Sequence, residues 1–249
     1  MIRISAVSYL NTKPFLYGLN HSGMKDISVS LDTPAECARK LLSGEVETGL
    51  VPVAIIPLLK SPWIIPGYGI CADGPVESVM LYSNVPLQEI KTVYLDYQSR
   101  TSVMLARVLA REHWKISPRW ENAEAGFEEK IPADAAAVVI GDRTFRLNGK
   151  HAYEFDLAGE WKKFTGLPFV FACWVSNVQP GEKFVSDFRA ALEYGLNNTG
   201  KVIEEVREKY RPFDVEKYLT SSLKFRMGEK EESGMRLFLS KMKELQPVG

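Results

Sequence analysis

The residues of this chain best suited to chemistry are small polar side chains placed where an apolar run gives way to a helix. The first group is Ser8-Tyr9-Leu10-Asn11-Thr12-Lys13-Pro14-Phe15, which follows the strand-like run Ile2 to Val7. Pro14 opens a short helix to Leu19; proline suits the first turn, where its missing N–H would have no intrahelical partner. Ser8, Tyr9, Asn11, Thr12 and Lys13 put polar or amphipathic groups between strand and helix. In an open α/β sheet such a loop lies where ligands bind, beyond the carboxyl end of a strand. The alternative is a plain turn in which Asn11 or Thr12 caps the helix.

A second group, Ser99-Arg100-Thr101-Ser102, opens a helix expected from about Arg100 to Glu112. Free N–H groups and a partial positive charge at a helix start favour carboxylates and phosphates. Simple capping by Ser99 is the competing use. Ser78 stands inside the apolar strand Val76 to Ser83, on one face with Val76, Met80 and Tyr82. It either fills space or offers its hydroxyl to a ligand. Gly141-Asp142-Arg143 follows the run Val138-Val139-Ile140; the glycine permits close backbone approach, and Asp142 suits the cap of the next helix. His21, His113 and His151 have no spaced partner for a metal and read as structural or solvated. No Gly-rich phosphate loop, G-x-S-x-G or H-E-x-x-H occurs. The expectation is therefore chemistry by placement and polar contacts, with no cofactor and no metal.

These groups need a scaffold. Ile27 to Leu31 reads as a strand, Pro34 to Leu42 as a helix capped by Thr33, Gly49 to Val51 as a short buried strand, and Pro52 as the start of a helical turn. Trp63 to Ile70, broken by Pro66, Gly67 and Gly69, reads as irregular. A second block follows: strands at Thr92 to Leu95, Arg119 to Glu121, Ala135 to Ile140 and Phe169 to Val175, with a helix at Leu157 to Phe164. After Pro180-Gly181 the chain is helical and charged to Leu245. Alternating strands and helices give an α/β class with mostly parallel sheets. Two such blocks followed by helices imply two lobes with a ligand cleft between them, as in a type 2 periplasmic binding protein. The expected division is 1–84 for the first part of lobe 1, 85–176 for lobe 2, and 177–249 for helices completing lobe 1. The chain would cross between lobes near Ser83-Asn84 and return near Val175-Asn177.

The bulk numbers are those expected of a soluble globular protein. Of 249 residues 45% are hydrophobic and 25% charged, and Lys+Arg equals Asp+Glu at 31 each. That balance gives no overall basic footprint for nucleic acid or an anionic membrane. No apolar run approaches a membrane span, and no secretory signal is evident. With Cys37, Cys71 and Cys173 far apart, the expected setting is the reducing cytoplasm, with free thiols.

Several segments resemble a known family. They are Ser8 to Phe15, Gly49-Leu50-Val51-Pro52-Val53-Ala54, Ser78-Val79, Asp96 to Ser102, Val139 to Asp142, Phe155-Asp156-Leu157-Ala158-Gly159-Glu160-Trp161 and Thr165 to Ala172. In this order they are similar to the chorismate dehydratases, which open the futalosine route to menaquinone. The resemblance runs from the N-terminus to about Trp174. It implies the two-lobed binding-protein fold and conversion of chorismate to 3-[(1-carboxyvinyl)oxy]benzoate and water without a cofactor. It implies Asn11 and Ser78 as the residues linked to the reaction. Beside them, Tyr9, Val53, Ser99, Thr101, Ser102, Gly141 and Asp142 are expected to bind substrate. The sister 1,4-dihydroxy-6-naphthoate synthases usually open with a Pro-Cys-Pro-Asn type motif and use a histidine, and neither feature is present. A solute-binding protein or ligand-sensing domain of the same fold is the non-catalytic alternative.

Overall fold

The computed structural model describes residues 1–245. The chain runs β1 (Ile2–Val7), α1 (Lys13–His21), β2 (Ile27–Asp32), α2 (Pro34–Leu42), β3 (Thr48–Pro52), β4 (Trp63–Ala72) and β5 (Val79–Ser83). It continues through β6 (Thr92–Leu95), α3 (Thr101–Leu109), β7 (Arg119–Asn122), β8 (Ala135–Ile140), β9 (Tyr153–Asp156), α4 (Leu157–Thr165) and β10 (Phe169–Ser176). Last come α5 (Glu182–Asn197), α6 (Thr199–Tyr210), α7 (Val215–Lys217), β11 (Lys224–Arg226) and α8 (Glu229–Lys243).

The strands form two sheets. The first has the order β11-β4-β10-β3-β1-β2 and the second β7-β6-β8-β5-β9. Both are mixed. β1 runs parallel to β2 and β3, and β6 parallel to β7 and β8, whereas β10 and β5 run antiparallel to both of their neighbours. Those two antiparallel strands correct the expected crossings. β5 belongs to the second sheet, so the chain has already crossed within 73–78. β10 belongs to the first, so the return lies within 166–168. The sequence reading placed each crossing one strand too late, because a buried apolar run does not reveal which sheet pairs with it.

Trp63 to Ile70 is also corrected. It is part of one ten-residue strand, β4, whose pairing with β10 skips from Ile64 opposite Val175 to Gly69 opposite Cys173. Pro66 and Gly67 fall in that skipped stretch, where a bulge removes the need for a ladder N–H.

Two features lock the scaffold around the loop after β1. Phe15 is fully buried, edge-on to Trp174 at 5.9 Å and Phe225 at 5.4 Å between ring centroids. A buried phenylalanine contributes about 1.5–3 kcal/mol. α1 then crosses α5 at Gly18 and Gly195. A Cβ on Gly195 would stand 1.9 Å from the Pro14 carbonyl oxygen, so this backbone approach requires glycine.

Candidate active site

A cavity of about 540 Å³, mouth included, lies between the two sheets. Its polar wall is Tyr9, Asn11, Ser78, Ser99, Thr101 and Ser102, with the backbone of Gly141; Pro34, Pro52, Ile70, Val76, Phe171 and Leu223 are among its apolar lining. Most of the residues expected to meet substrate therefore converge, from segments far apart in sequence. Among the described residues lining the cavity, Tyr9 alone is ionisable, and burial raises its phenol well above the ordinary range.

Asn11 sits on a 3-10 turn, Leu10–Thr12, that leads directly into α1. Neither Asn11 nor Thr12 caps the helix. Instead the Thr12 hydroxyl donates to Asn11 Oδ1 at 3.1 Å, which orients the carboxamide at the cavity wall. The capping alternative for this loop is thereby set aside.

Ser78 does not lie within a strand. β5 begins at Val79, and Glu77 before it has φ of +65°. The Ser78 carbonyl accepts the Gly141 N–H at 2.8 Å, and its hydroxyl accepts from Tyr218 at 2.8 Å. The crossing segment that carries it is held by Asp156, whose Oδ2 accepts the N–H groups of Val76 and Glu77, both at 2.7 Å. Its Oδ1 caps α4 through the Gly159 N–H at 2.9 Å. Burial raises the Asp156 pKa from its ordinary value, opposed by these backbone donors. One carboxylate thus fixes both the helix of the Asp-Leu-Ala-Gly-Glu-Trp segment and the loop presenting Ser78.

Ser99 serves two purposes. Its Oγ accepts the Ser102 N–H at 3.1 Å, capping α3, while the residue lines the cavity. The Thr101 hydroxyl oxygen accepts the Ala54 N–H at 3.3 Å, joining the start of α3 to the 3-10 turn Val53–Leu58 that follows β3. Its proton is thereby left for another acceptor. α3 reaches Leu109 and continues as a wider turn to Trp114, close to the expected extent.

Gly141 has φ of +69°, and an added Cβ would stand 2.7 Å from the Tyr9 ring. The glycine is thus a platform for Tyr9, whose hydroxyl donates to Gln98 Oε1.

Two expected contacts are corrected. Val53 is fully buried in the core and does not line the cavity; Pro52 occupies that wall. Asp142 neither lines the cavity nor caps the following 3-10 turn. It accepts the Leu10 N–H at 3.1 Å and the Tyr210 hydroxyl at 2.8 Å, bracing the loop of Asn11 from behind. Burial raises its pKa.

Residues that sequence reasoning missed are mostly of this supporting kind. Asp96, whose side chain is fully buried, accepts the Ile140 N–H at 3.0 Å, the Gln98 N–H at 2.9 Å and the Arg143 guanidinium. It ties the start of α3 to the Gly141 turn. Tyr218 lies in the charged C-terminal stretch, and no local pattern marks it. The three histidines stand away from the cavity: His21 stacks on Tyr17, His113 faces Glu160 at 3.3 Å, and His151 meets Asn84 at 3.2 Å. Among the described residues no helix is long and apolar enough to cross a membrane.

Comparison with known structures places the fold among periplasmic binding proteins. A protein of Archaeoglobus fulgidus superposes with TM-score 0.74 at 16% identity, covering 98% of this chain and 96% of that one. A Candida albicans protein described as having the generic periplasmic binding protein fold gives 0.68 at 11% identity, over 100% and 92%. The Escherichia coli aliphatic sulphonate binding protein gives 0.61 at 12% identity, over 98% and 86%. By sequence, the chain is 30% identical to a chorismate dehydratase of Thermus thermophilus, covering 92% of this chain and 91% of the relative. The family model described as menaquinone biosynthesis matches residues 2–244. With nearly its whole length matched by that model and by such a relative, the chain belongs to the menaquinone biosynthesis family.

Proposed function

We propose that the protein is a lyase that dehydrates chorismate to 3-[(1-carboxyvinyl)oxy]benzoate and water. The observation that carries this reading is the convergence of Asn11, Ser78 and the Thr101-Ser102 helix start on a cavity with no ionised side chain among the described residues of its wall. The Thermus thermophilus relative supports the substrate. Chorismate is a dianion whose ring becomes aromatic on losing water, so the reaction runs downhill and needs selectivity more than driving force.

In this mechanism the enolpyruvyl carboxylate of the substrate takes the ring proton beside it. The electron pair of that C–H bond becomes the new ring double bond as the neighbouring C–O bond breaks. The departing hydroxide and the transferred proton leave as water, so atoms and charge balance. Asn11 and Ser78 hold the arm and the leaving oxygen by hydrogen bonds. A carboxamide is too weak a base to take the proton itself. Holding reactants in one pose is worth up to about 7–11 kcal/mol of a barrier. The start of α3 grips a carboxylate with hydroxyls and the positive end of the helix.

Purified protein incubated with chorismate should give a product lighter by one water in mass spectrometry. Unchanged chorismate beside an enzyme-free control would refute the assignment. The role of α3 has its own test. The Thr101→Ala, Ser102→Ala double variant should bind the unreactive analogue 3-(carboxymethoxy)benzoate about 10- to 150-fold more weakly by calorimetry. That range corresponds to about 1.5–3 kcal/mol for a charge-assisted hydrogen bond. Equal affinity would reduce Thr101 and Ser102 to structural residues.

A further inference from the structure

We propose that Tyr218 is a positioning residue: its buried hydroxyl orders the proton direction of Ser78 so that the serine presents a donor to the cavity. This rests on the dehydration reading above and goes beyond it by assigning the polarity of the site. Tyr218 is 1% exposed, held edge-on by Phe145 at 5.3 Å and Phe213 at 5.4 Å. Its hydroxyl donates to Ser78 Oγ at 2.8 Å. The Asn11 amide lies beside the same phenol, and burial keeps that phenol neutral.

The direction of each proton follows from counting donors. A hydroxyl carries one hydrogen. Because Tyr218 spends its hydrogen on Ser78, the Ser78 hydrogen must find another acceptor, and Ser78 lines the cavity. Asn11 Oδ1 accepts from Thr12 at 3.1 Å, and the NH₂ is the donor end of the same carboxamide at the cavity wall. The order is then Tyr218 O–H to Ser78 oxygen and Ser78 O–H to the ligand. Reversal of the last link would turn lone pairs toward an anionic substrate and a departing hydroxide. Tyr218 therefore sets the sign of a wall that holds no cation among its described residues. Hydrogen bonds in such a chain also polarise one another and strengthen the terminal donor.

The test is Tyr218→Phe, which removes one oxygen and keeps the ring packing. Turnover of chorismate should fall about 10- to 100-fold, less than the loss on removing a direct transition-state donor. KM should stay within about twofold, since the ordering matters most where charge develops. In a Ser78→Ala background the same change should cost less than about twofold, because Tyr218 acts through Ser78. Incorporation of 3-fluorotyrosine at position 218 keeps both hydroxyl and packing and should retain turnover within about threefold of the parent, on the same reasoning. A ligand-free crystal structure of Tyr218→Phe should show Ser78 in a new rotamer. Wild-type turnover separates the two claims: no dehydration by the parent protein, with Ser78 reoriented in the variant, ends the chorismate reading and leaves the positioning role standing. An unchanged rotamer, with parental turnover where the parent is active, overturns the inference. So does an equal fractional loss with and without Ser78.

Discussion

Asn11→Ala is expected to lower chorismate dehydration about a hundred- to a thousandfold, the scale found when one preorganised transition-state donor is removed. Each tenfold corresponds to about 1.4 kcal/mol. The fold should survive, because Asn11 caps no helix and its side chain hydrogen-bonds with Thr12 next door. Phe15 and the Gly18–Gly195 contact continue to hold α1. Circular dichroism and steady-state kinetics on the same preparation decide it. A folded variant with near-parental turnover would remove Asn11 from the mechanism and leave the cavity without its chief positioning amide.

Asp156→Asn should be as damaging through the scaffold. The aspartate accepts three backbone N–H groups, those of Val76, Glu77 and Gly159. An asparagine can keep one oxygen on α4 but turns an NH₂ toward Val76 and Glu77, which both donate to that position. Loss of a charged acceptor from buried N–H groups costs about 1.5–3 kcal/mol per bond. A total near 3 kcal/mol would lower the melting temperature by roughly 6–12 °C for a chain of this size. Turnover should fall as well, because the loosened segment carries Ser78. If the variant melts within a degree or two of the parent, Asp156 is not the brace that its geometry makes it.

Much of this arrangement is legible in the sequence. The loop from Ser8 to Phe15, the helix start at Ser99 to Ser102, and Gly141 are local signals: proline at a helix start, hydroxyls before an amphipathic run, glycine at a strand end. Each can be read within a dozen residues, and each reaches the cavity. What failed was non-local. Asp142 reads as a cap because aspartate before a turn usually is one, yet its partners are Leu10 and Tyr210, supplied by distant parts of the chain. Val53 stands beside the cavity-lining Pro52 but faces the core. Tyr218 carries no sequence signal because its meaning comes from Ser78, Phe145 and Phe213. The short strands β9 and β11 were missed for a similar reason. Four and three residues long, they hold their shape through pairing with β5 and β4.

The placement of β10 has a consequence for how the molecule is made. In the first sheet β10 stands between β3 and β4, and among the described residues the other neighbour of β4 is β11, near the end of the chain. Until residue 169 has been synthesised, that sheet exists as a three-stranded parallel piece and a lone ten-residue strand with both edges open. All five strands of the second sheet, by contrast, fall between residues 79 and 156. Contacts of long sequence separation form slowly because loop closure precedes their reward. During vectorial synthesis the second sheet is therefore complete first, and the nascent first half carries an unpaired apolar strand of the kind that chaperones shield. The sheet whose first strands open the sequence is thus the one whose last strands are made latest.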